Sequence, residues 1–226
     1  MKIAVLGTGG VGQALAGRLA GLGHEVTIGT RDVGATLART GPDAMGNPPY
    51  AEWAAGHAAV RLATFAEAAA ESELIVNATN GAASLAVLEA AERVNLAGKV
   101  LLDIANPLDF SQGFPPSLFV SNTDSLGERI QAAFPELKVV KSLNTMNAFL
   151  MADPRQLAGG DHSVFVSGND AEAKKTVSGL LESFGHTDVI DLGDISTARG
   201  TEMLLPIWTR LYSALNNPTF NFKIVR

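Results

Sequence analysis

Lys2-Ile3-Ala4-Val5-Leu6, followed directly by Gly7-Thr8-Gly9-Gly10-Val11-Gly12, decides the fold. Ile3 to Leu6 is a short, wholly apolar run, the mark of a strand buried on both faces. Val11, Leu15, Leu19 and Leu22 then recur at spacings of four, four and three, as on the buried face of a helix ending near Gly21 or Gly23. The glycines between them satisfy G-x-G-x-x-G, a pattern that is weak alone and specific where it joins a first strand to a first helix. There Gly7 allows the tight turn, Gly9 the close approach of a pyrophosphate, and Gly12 the packing of helix on strand. The backbone N–H groups of residues 7–12 and the positive end of the helix then face the phosphates.

Working outward, strand and helix signals alternate as in a parallel sheet covered by helices. Strands are expected over 25–29, 60–63, 74–78, 100–104 and 138–142, with helices over 32–40, 65–71, 82–94 and 125–134. The last third adds strands over 164–166 and 189–192, a helix over 171–184, and a final helix from Ser196. Its apolar stripe is Leu204, Ile207, Trp208, Leu211 and Leu215, and Pro206 is expected to kink it. The fold class is therefore α/β, a Rossmann-type doubly wound parallel sheet with a small C-terminal α/β domain. Asp153-Pro154 interrupts the pattern, which divides the chain into a nucleotide-binding domain over 1–150 and a smaller domain over 151–226.

The end of the second strand bears on the choice of dinucleotide. NAD sites place an acidic residue there for the ribose hydroxyls, whereas NADP sites need cationic and hydroxyl donors for the extra phosphate. Ile28-Gly29-Thr30-Arg31-Asp32 offers a hydroxyl from Thr30 and a guanidinium fork from Arg31, with Asp32 placed late enough to cap a helix. This favours NADP; the other reading leaves Arg31 solvated and makes Asp32 the ribose ligand. Dinucleotides lie across the carboxyl ends of the strands. Ala78, Thr79 and Asn80 after the fourth strand, and Ala105, Asn106 and Pro107 after the fifth, are therefore expected beside the ribose and nicotinamide, although turn capping accounts equally well for Asn80 and Asn106.

Composition removes other classes of function. The 226 residues carry 17 basic and 23 acidic side chains, a formal charge of −6, and the basic residues are scattered, which speaks against nucleic-acid or anionic-membrane partners. No run reaches the roughly 18 to 20 apolar residues of a spanning helix, and the N-terminus lacks a signal peptide's apolar region. A cytoplasmic protein is expected. Without cysteine there is no disulfide, thiolate metal site or cysteine nucleophile. The four histidines, His24, His57, His162 and His186, have no metal-binding spacing, so no metal is expected and redox chemistry must use a bound cofactor.

Several separated segments resemble the coenzyme F420-dependent NADP oxidoreductases and the related reductase domain of the STEAP metalloreductases. They are the glycine loop, Gly29-Thr30-Arg31, the stretch Val139-Val140-Lys141-Ser142-Leu143-Asn144-Thr145, and the helix carrying Arg199, Glu202 and Pro206. The resemblance runs nearly end to end. It implies phosphate recognition by Thr30 and Arg31, and a cleft in which a second cofactor lies against the nicotinamide. At Asn144 the chain has the asparagine of the STEAP-like branch, where the deazaflavin enzymes carry histidine.

These readings lead to direct hydride transfer between NADPH and a deazaflavin (F420) or flavin-like ring. That chemistry resides in the cofactors and asks the protein for stacking, face selection and exclusion of water. Asn144 and Thr145 are the candidates to hydrogen-bond a ring carbonyl, with turn capping as the alternative. Two other functions fit the nucleotide motif: a non-catalytic NADPH sensor, and a reductase of small carbonyl or hydroxyacid substrates, whose usual long helical domain has little room here. The apolar last helix and the Phe220-to-Val225 tail favour a homodimer.

Overall fold

The computed structural model describes residues 1–42 and 46–226. Its first half runs β1 (Lys2–Leu6), α1 (Gly10–Gly21), β2 (Glu25–Thr30), α2 (Val33–Ala38), α3 (Tyr50–Ala55), β3 (Arg61–Thr64), α4 (Phe65–Glu71), β4 (Leu74–Asn77), α5 (Ser84–Ala90), α6 (Arg93–Leu96) and β5 (Val100–Asp103). A small antiparallel pair follows, β6 (Leu108–Asp109) and β7 (Ser117–Leu118), then α7 (Leu126–Ala133), β8 (Lys138–Ser142) and α8 (Ala148–Ala152). The chain closes with β9 (Ser163–Gly168), α9 (Ala171–Phe184), β10 (Asp188–Gly193), α10 (Ala198–Met203) and α11 (Leu205–Leu215).

The main sheet has the order β10-β9-β8-β5-β4-β1-β2-β3. From β3 to β8 every pairing is parallel, which is the doubly wound Rossmann arrangement of six strands; β9 then joins β8 antiparallel and pairs in parallel with β10. The sheet thus continues across residue 150 into the C-terminal segment. Alternation within the strands divides the core. Ile3 and Val5 pack with Leu15, Leu19 and Val177 on one face, while Ala4 and Leu6 pack with Ala68, Leu88 and Ile130 on the other. Both faces being covered explains why these strands read as continuous apolar runs. Among the described residues no helix is long and apolar enough to cross a membrane.

Two helices differ from the sequence expectation. The helix expected over 82–94 is a 3-10 turn at Gly81–Ala83 followed by α5 and α6, which are separated at Glu92, where φ is 68°. The final helix expected from Ser196 is likewise divided: a 3-10 turn at Ile195–Thr197 leads into α10, and Pro206, which has no N–H to donate, sits in the first turn of α11. The apolar stripe of that helix is only partly covered, with Ile207 47% and Leu215 56% exposed.

α9 shows how local chemistry fixes an element. Asp170 accepts from Ala173 N at its start (2.8 Å), and Gly185 closes it in the left-handed conformation at φ 109°. Asp170→Ala, which also removes a 3.1 Å ion pair to Lys138, is expected to lower stability by about 1 kcal/mol, read by urea unfolding.

Candidate functional site

At the carboxyl edge of the sheet, between β1 and β4, the strand order reverses, and the glycine loop sits there. Gly7 has φ 121°, and a Cβ on it would lie 2.6 Å from the Ala78 carbonyl oxygen; a Cβ on Gly12 would lie 2.1 Å from the Gly7 oxygen. Both are therefore required by the packing of β1, β4 and α1. Gly9 is different: its φ is −77° and, among the described residues, an added Cβ meets nothing within 4 Å. Among the described residues the backbone at Gly9 is left bare, as an approaching pyrophosphate requires. α1 begins at Gly10 and Val11 with no side-chain cap at Gly9 and no acidic residue in its first turn, and the Asn47 side chain lies over Gly10. Gln13, buried and unnoticed in the sequence, braces the loop by donating to the Thr8 carbonyl at 2.9 Å.

At the end of β2, Arg31 is exposed and makes no hydrogen bond or ion pair among the described residues. Asp32 caps α2 by accepting from Ala35 N at 2.9 Å. Thr30 is buried, with its hydroxyl 2.7 Å from that of Thr36. Since Thr36 donates to the Asp32 carbonyl (2.7 Å), the hydrogen between the two threonines belongs to Thr30. The expected phosphate donor thus spends its hydrogen inside the β2–α2 turn, leaving its lone pairs, which a phosphate cannot use.

Residues 78–80 and 105–107 lie side by side. A Cβ on Gly81 would meet the Asn106 carbonyl oxygen at 1.9 Å, so the two turns touch through that glycine. Asn80 caps the 3-10 turn by accepting from Ala82 N (3.0 Å). Asn106 and Asn144 are joined twice: Asn106 Nδ2 donates to the Asn144 carbonyl (2.8 Å) and Asn144 Nδ2 to Asn106 Oδ1 (3.0 Å). Asn144 and Thr145 are 3% and 2% exposed, which places them beneath the turn surface rather than on it. In this structure the Asn144 amide braces Asn106 where the sequence suggested contact with a ring. The same bend holds Leu143 at φ 60°, a conformation costly for a bulky side chain.

Beneath these turns is a cluster that sequence reasoning did not assemble. Lys141, with a wholly buried side chain, donates to Asp103 Oδ2 (2.9 Å), Glu202 Oε1 (2.8 Å) and the Ala105 carbonyl (2.5 Å). Desolvation pulls its ammonium down, but Asp103 and Glu202 together outweigh burial and hold it above the ordinary lysine range. Asp103 Oδ1 accepts from Asn77 Nδ2 (2.8 Å) and Ala105 N (3.2 Å), and Asn77 Oδ1 accepts from the Thr79 hydroxyl (2.7 Å). Glu202 also accepts from Leu126 N (2.8 Å) and Gly127 N (3.0 Å), the first N–H groups of α7. Arg199, one turn before Glu202, forks onto Glu128 of α7 at 2.8 and 2.5 Å, and this hydrogen bonding holds Glu128 below the usual carboxylate range. The available signals were charged residues inside apolar strands, Asp103 after Leu101-Leu102 and Lys141 after Val139-Val140.

Comparison with known proteins gives the family. Residues 2–107 match the family model described as NADP oxidoreductase, coenzyme F420-dependent. The F420-dependent NADP reductase of Methanothermobacter marburgensis is 31% identical over 216 residues, covering 93% of this chain and 92% of that protein. The chain belongs to the F420-dependent NADP oxidoreductase family. The match to this family extends through the C-terminal segment that carries Arg199 and Glu202. A crystal structure from Arthrobacter sp. FB24, of a candidate F420-dependent NADP reductase, shares 67% identity and a TM-score of 0.97 over 100% of both chains. Rat metalloreductase STEAP3 is 31% identical over 213 residues; these are 92% of this chain but 38% of STEAP3, so the chain spans well under half of that protein. As a family member the chain is an NADP-dependent oxidoreductase on a Rossmann-type fold.

Proposed function

We propose that the protein transfers a hydride between NADPH and a deazaflavin or flavin-like acceptor, in the cytoplasm. The observation that carries the nucleotide half is the pairing of an uncapped α1 N-terminus at Gly9 with an unengaged Arg31 at the end of β2. The pyrophosphate is taken by the backbone of residues 7–12, and the extra phosphate by the Arg31 guanidinium, with Thr30 shaping its turn through Thr36. Bound NADPH supplies the hydride. The protein supplies a fixed floor for the nicotinamide in residues 78–80 and 105–107, braced by Asn144, and excludes water there. Within this reading residues 1–150 hold the dinucleotide, and residues 151–226, with α10 and α11, close the side on which the acceptor lies. The relatives named as F420-dependent reductases support a deazaflavin as that acceptor.

Titration of the protein with NADPH and NADH, followed by addition of F420, FMN and FAD while nicotinamide absorbance is monitored, tests the reading. Preferential NADPH binding with oxidation by one acceptor is the expected result; binding without turnover would indicate an NADPH sensor instead. Arg31→Ala is expected to weaken NADPH roughly 10- to 100-fold, the worth of a lost charge-assisted contact, and to leave NADH within about twofold. Equal effects on both would exclude Arg31 as the phosphate ligand. A homodimer belongs to the same reading, because α11 leaves Ile207, Tyr212 and Leu215 exposed; sedimentation velocity measures it directly.

A further inference from the structure

The ion cluster of Lys141, Asp103 and Glu202 is not needed by the hydride chemistry, and its members come from three distant parts of the chain. Its contacts are concentrated on the two turns that form the proposed nicotinamide floor. Both polar groups of Ala105 are taken, the carbonyl by Lys141 and the N–H by Asp103, and Asn77 passes the connection from Asp103 to Thr79. A second path runs from Glu202 to the N–H groups of Leu126 and Gly127, and the Leu126 side chain lies against Gly81, which itself abuts the Asn106 carbonyl. Glu202 is the residue of α10 that reaches the ion cluster; Ala198 and Arg199 dock the same helix on Gly127 and Glu128 of α7. Without Glu202, Lys141 has a single carboxylate partner, and the start of α7 loses the acceptor of its first two N–H groups.

We propose that Glu202 is a positioning residue for the nicotinamide half of the dinucleotide: by completing the ion cluster it couples the docking of α10 to the shape of residues 78–80 and 105–107. The adenosine half, held by residues 7–12 and Arg31, meets these turns where Gly7 packs on Ala78, but none of the cluster's hydrogen bonds reaches it. The proposal rests on the NADPH reading above, and it requires a selective defect. The C-terminal segment therefore governs cofactor geometry from beneath, without touching the cofactor.

The test compares two ligands by calorimetry, NADPH and adenosine 2′,5′-bisphosphate, which lacks the nicotinamide. In Glu202→Gln the amide presents N–H to groups that are themselves donors, and NADPH is expected to bind about tenfold more weakly, the scale of one charge-assisted hydrogen bond. Adenosine 2′,5′-bisphosphate should stay within about twofold. If that variant does not fold, Lys141→Met combined with Glu202→Gln removes one cation and one anion together, keeps the net buried charge, and should show the same selective loss. A parallel loss of both ligands, or unchanged binding of both with only a lower melting temperature, would overturn the proposal and leave the NADPH reading intact. A wild-type protein that binds neither ligand would overturn both.

Discussion

Gly9→Ala is expected to unfold no earlier than the wild type while binding NADPH about a hundredfold more weakly. The two effects have opposite signs because they act on different states. Gly9 already has φ −77° and ψ 178°, a conformation open to alanine, and an added Cβ would meet no atom of the described residues within 4 Å. The substitution therefore restricts the unfolded chain and stabilises the protein by about 0.5 kcal/mol. The same methyl occupies the space into which the pyrophosphate must come, and an overpacked contact of that kind costs about 1–3 kcal/mol. Gly12→Ala is the necessary contrast. Its Cβ would stand 2.1 Å from the backbone oxygen of Gly7, so β1 and α1 must separate. Stability should fall by at least about 1–3 kcal/mol, and NADPH binding should fall with it. Thermal unfolding and NADPH titration of the two variants separate the roles. If Gly9→Ala binds NADPH like the wild type, the phosphate does not sit on this loop.

What was legible in the sequence follows from how local each signal is. β8 and α9 begin and end where the sequence places them, because each carries its own boundaries: apolar Val139-Val140 inside a short run, and Asp170 and Gly185 at the two ends of a helix. Asp32 caps α2 as its position after the strand suggested. The break at Glu92 could not be read, since neither glycine nor proline marks it. The site shows the same division. The glycine loop is one contiguous motif whose spacing contains its geometry. Thr30 and Thr36 are six residues apart and exchange a hydrogen bond only because the β2–α2 turn is tight. Asn106 and Asn144, or Lys141 and Glu202, meet only once β5, β8 and α10 are assembled. A charge in an apolar strand announces that a partner must exist. It does not say which one.

Below pH 6.5 the protein is expected to lose about 3 kcal/mol of stability through one side chain, His186. The ring is 2% exposed. Its Nε2 donates to the Met151 carbonyl at 3.2 Å, while Nδ1 is buried with no hydrogen-bond partner among the described residues, so a second proton would enter a site with nothing to accept it. Burial is the main cause that lowers its pKa from 6.5 to about 4; the Met151 carbonyl opposes this, and His162, whose ring lies edge-on 6.1 Å away, adds to it. The unfolded chain therefore takes up a proton at pH 6.5 and the folded protein only near pH 4. Between these values the unfolded state binds more protons, so the contribution is complete above pH 6.5, declines as pH falls, and is gone by about pH 4. Set against a total of about 5–15 kcal/mol for a typical protein, the loss is a substantial share. The C-terminal tail is fastened at the same place, by Asn221 to His162 (2.7 Å) and by Ser163 N to the Phe222 carbonyl (2.9 Å), so its attachment borders the buried proton site. Urea unfolding of the wild type and His186→Gln between pH 7.5 and 4.5 measures the effect. The variant should start somewhat less stable, having exchanged a fitted ring for an amide, and should fall less steeply. Parallel curves would mean that the His186 ring accepts its proton in the folded protein as readily as in the unfolded one.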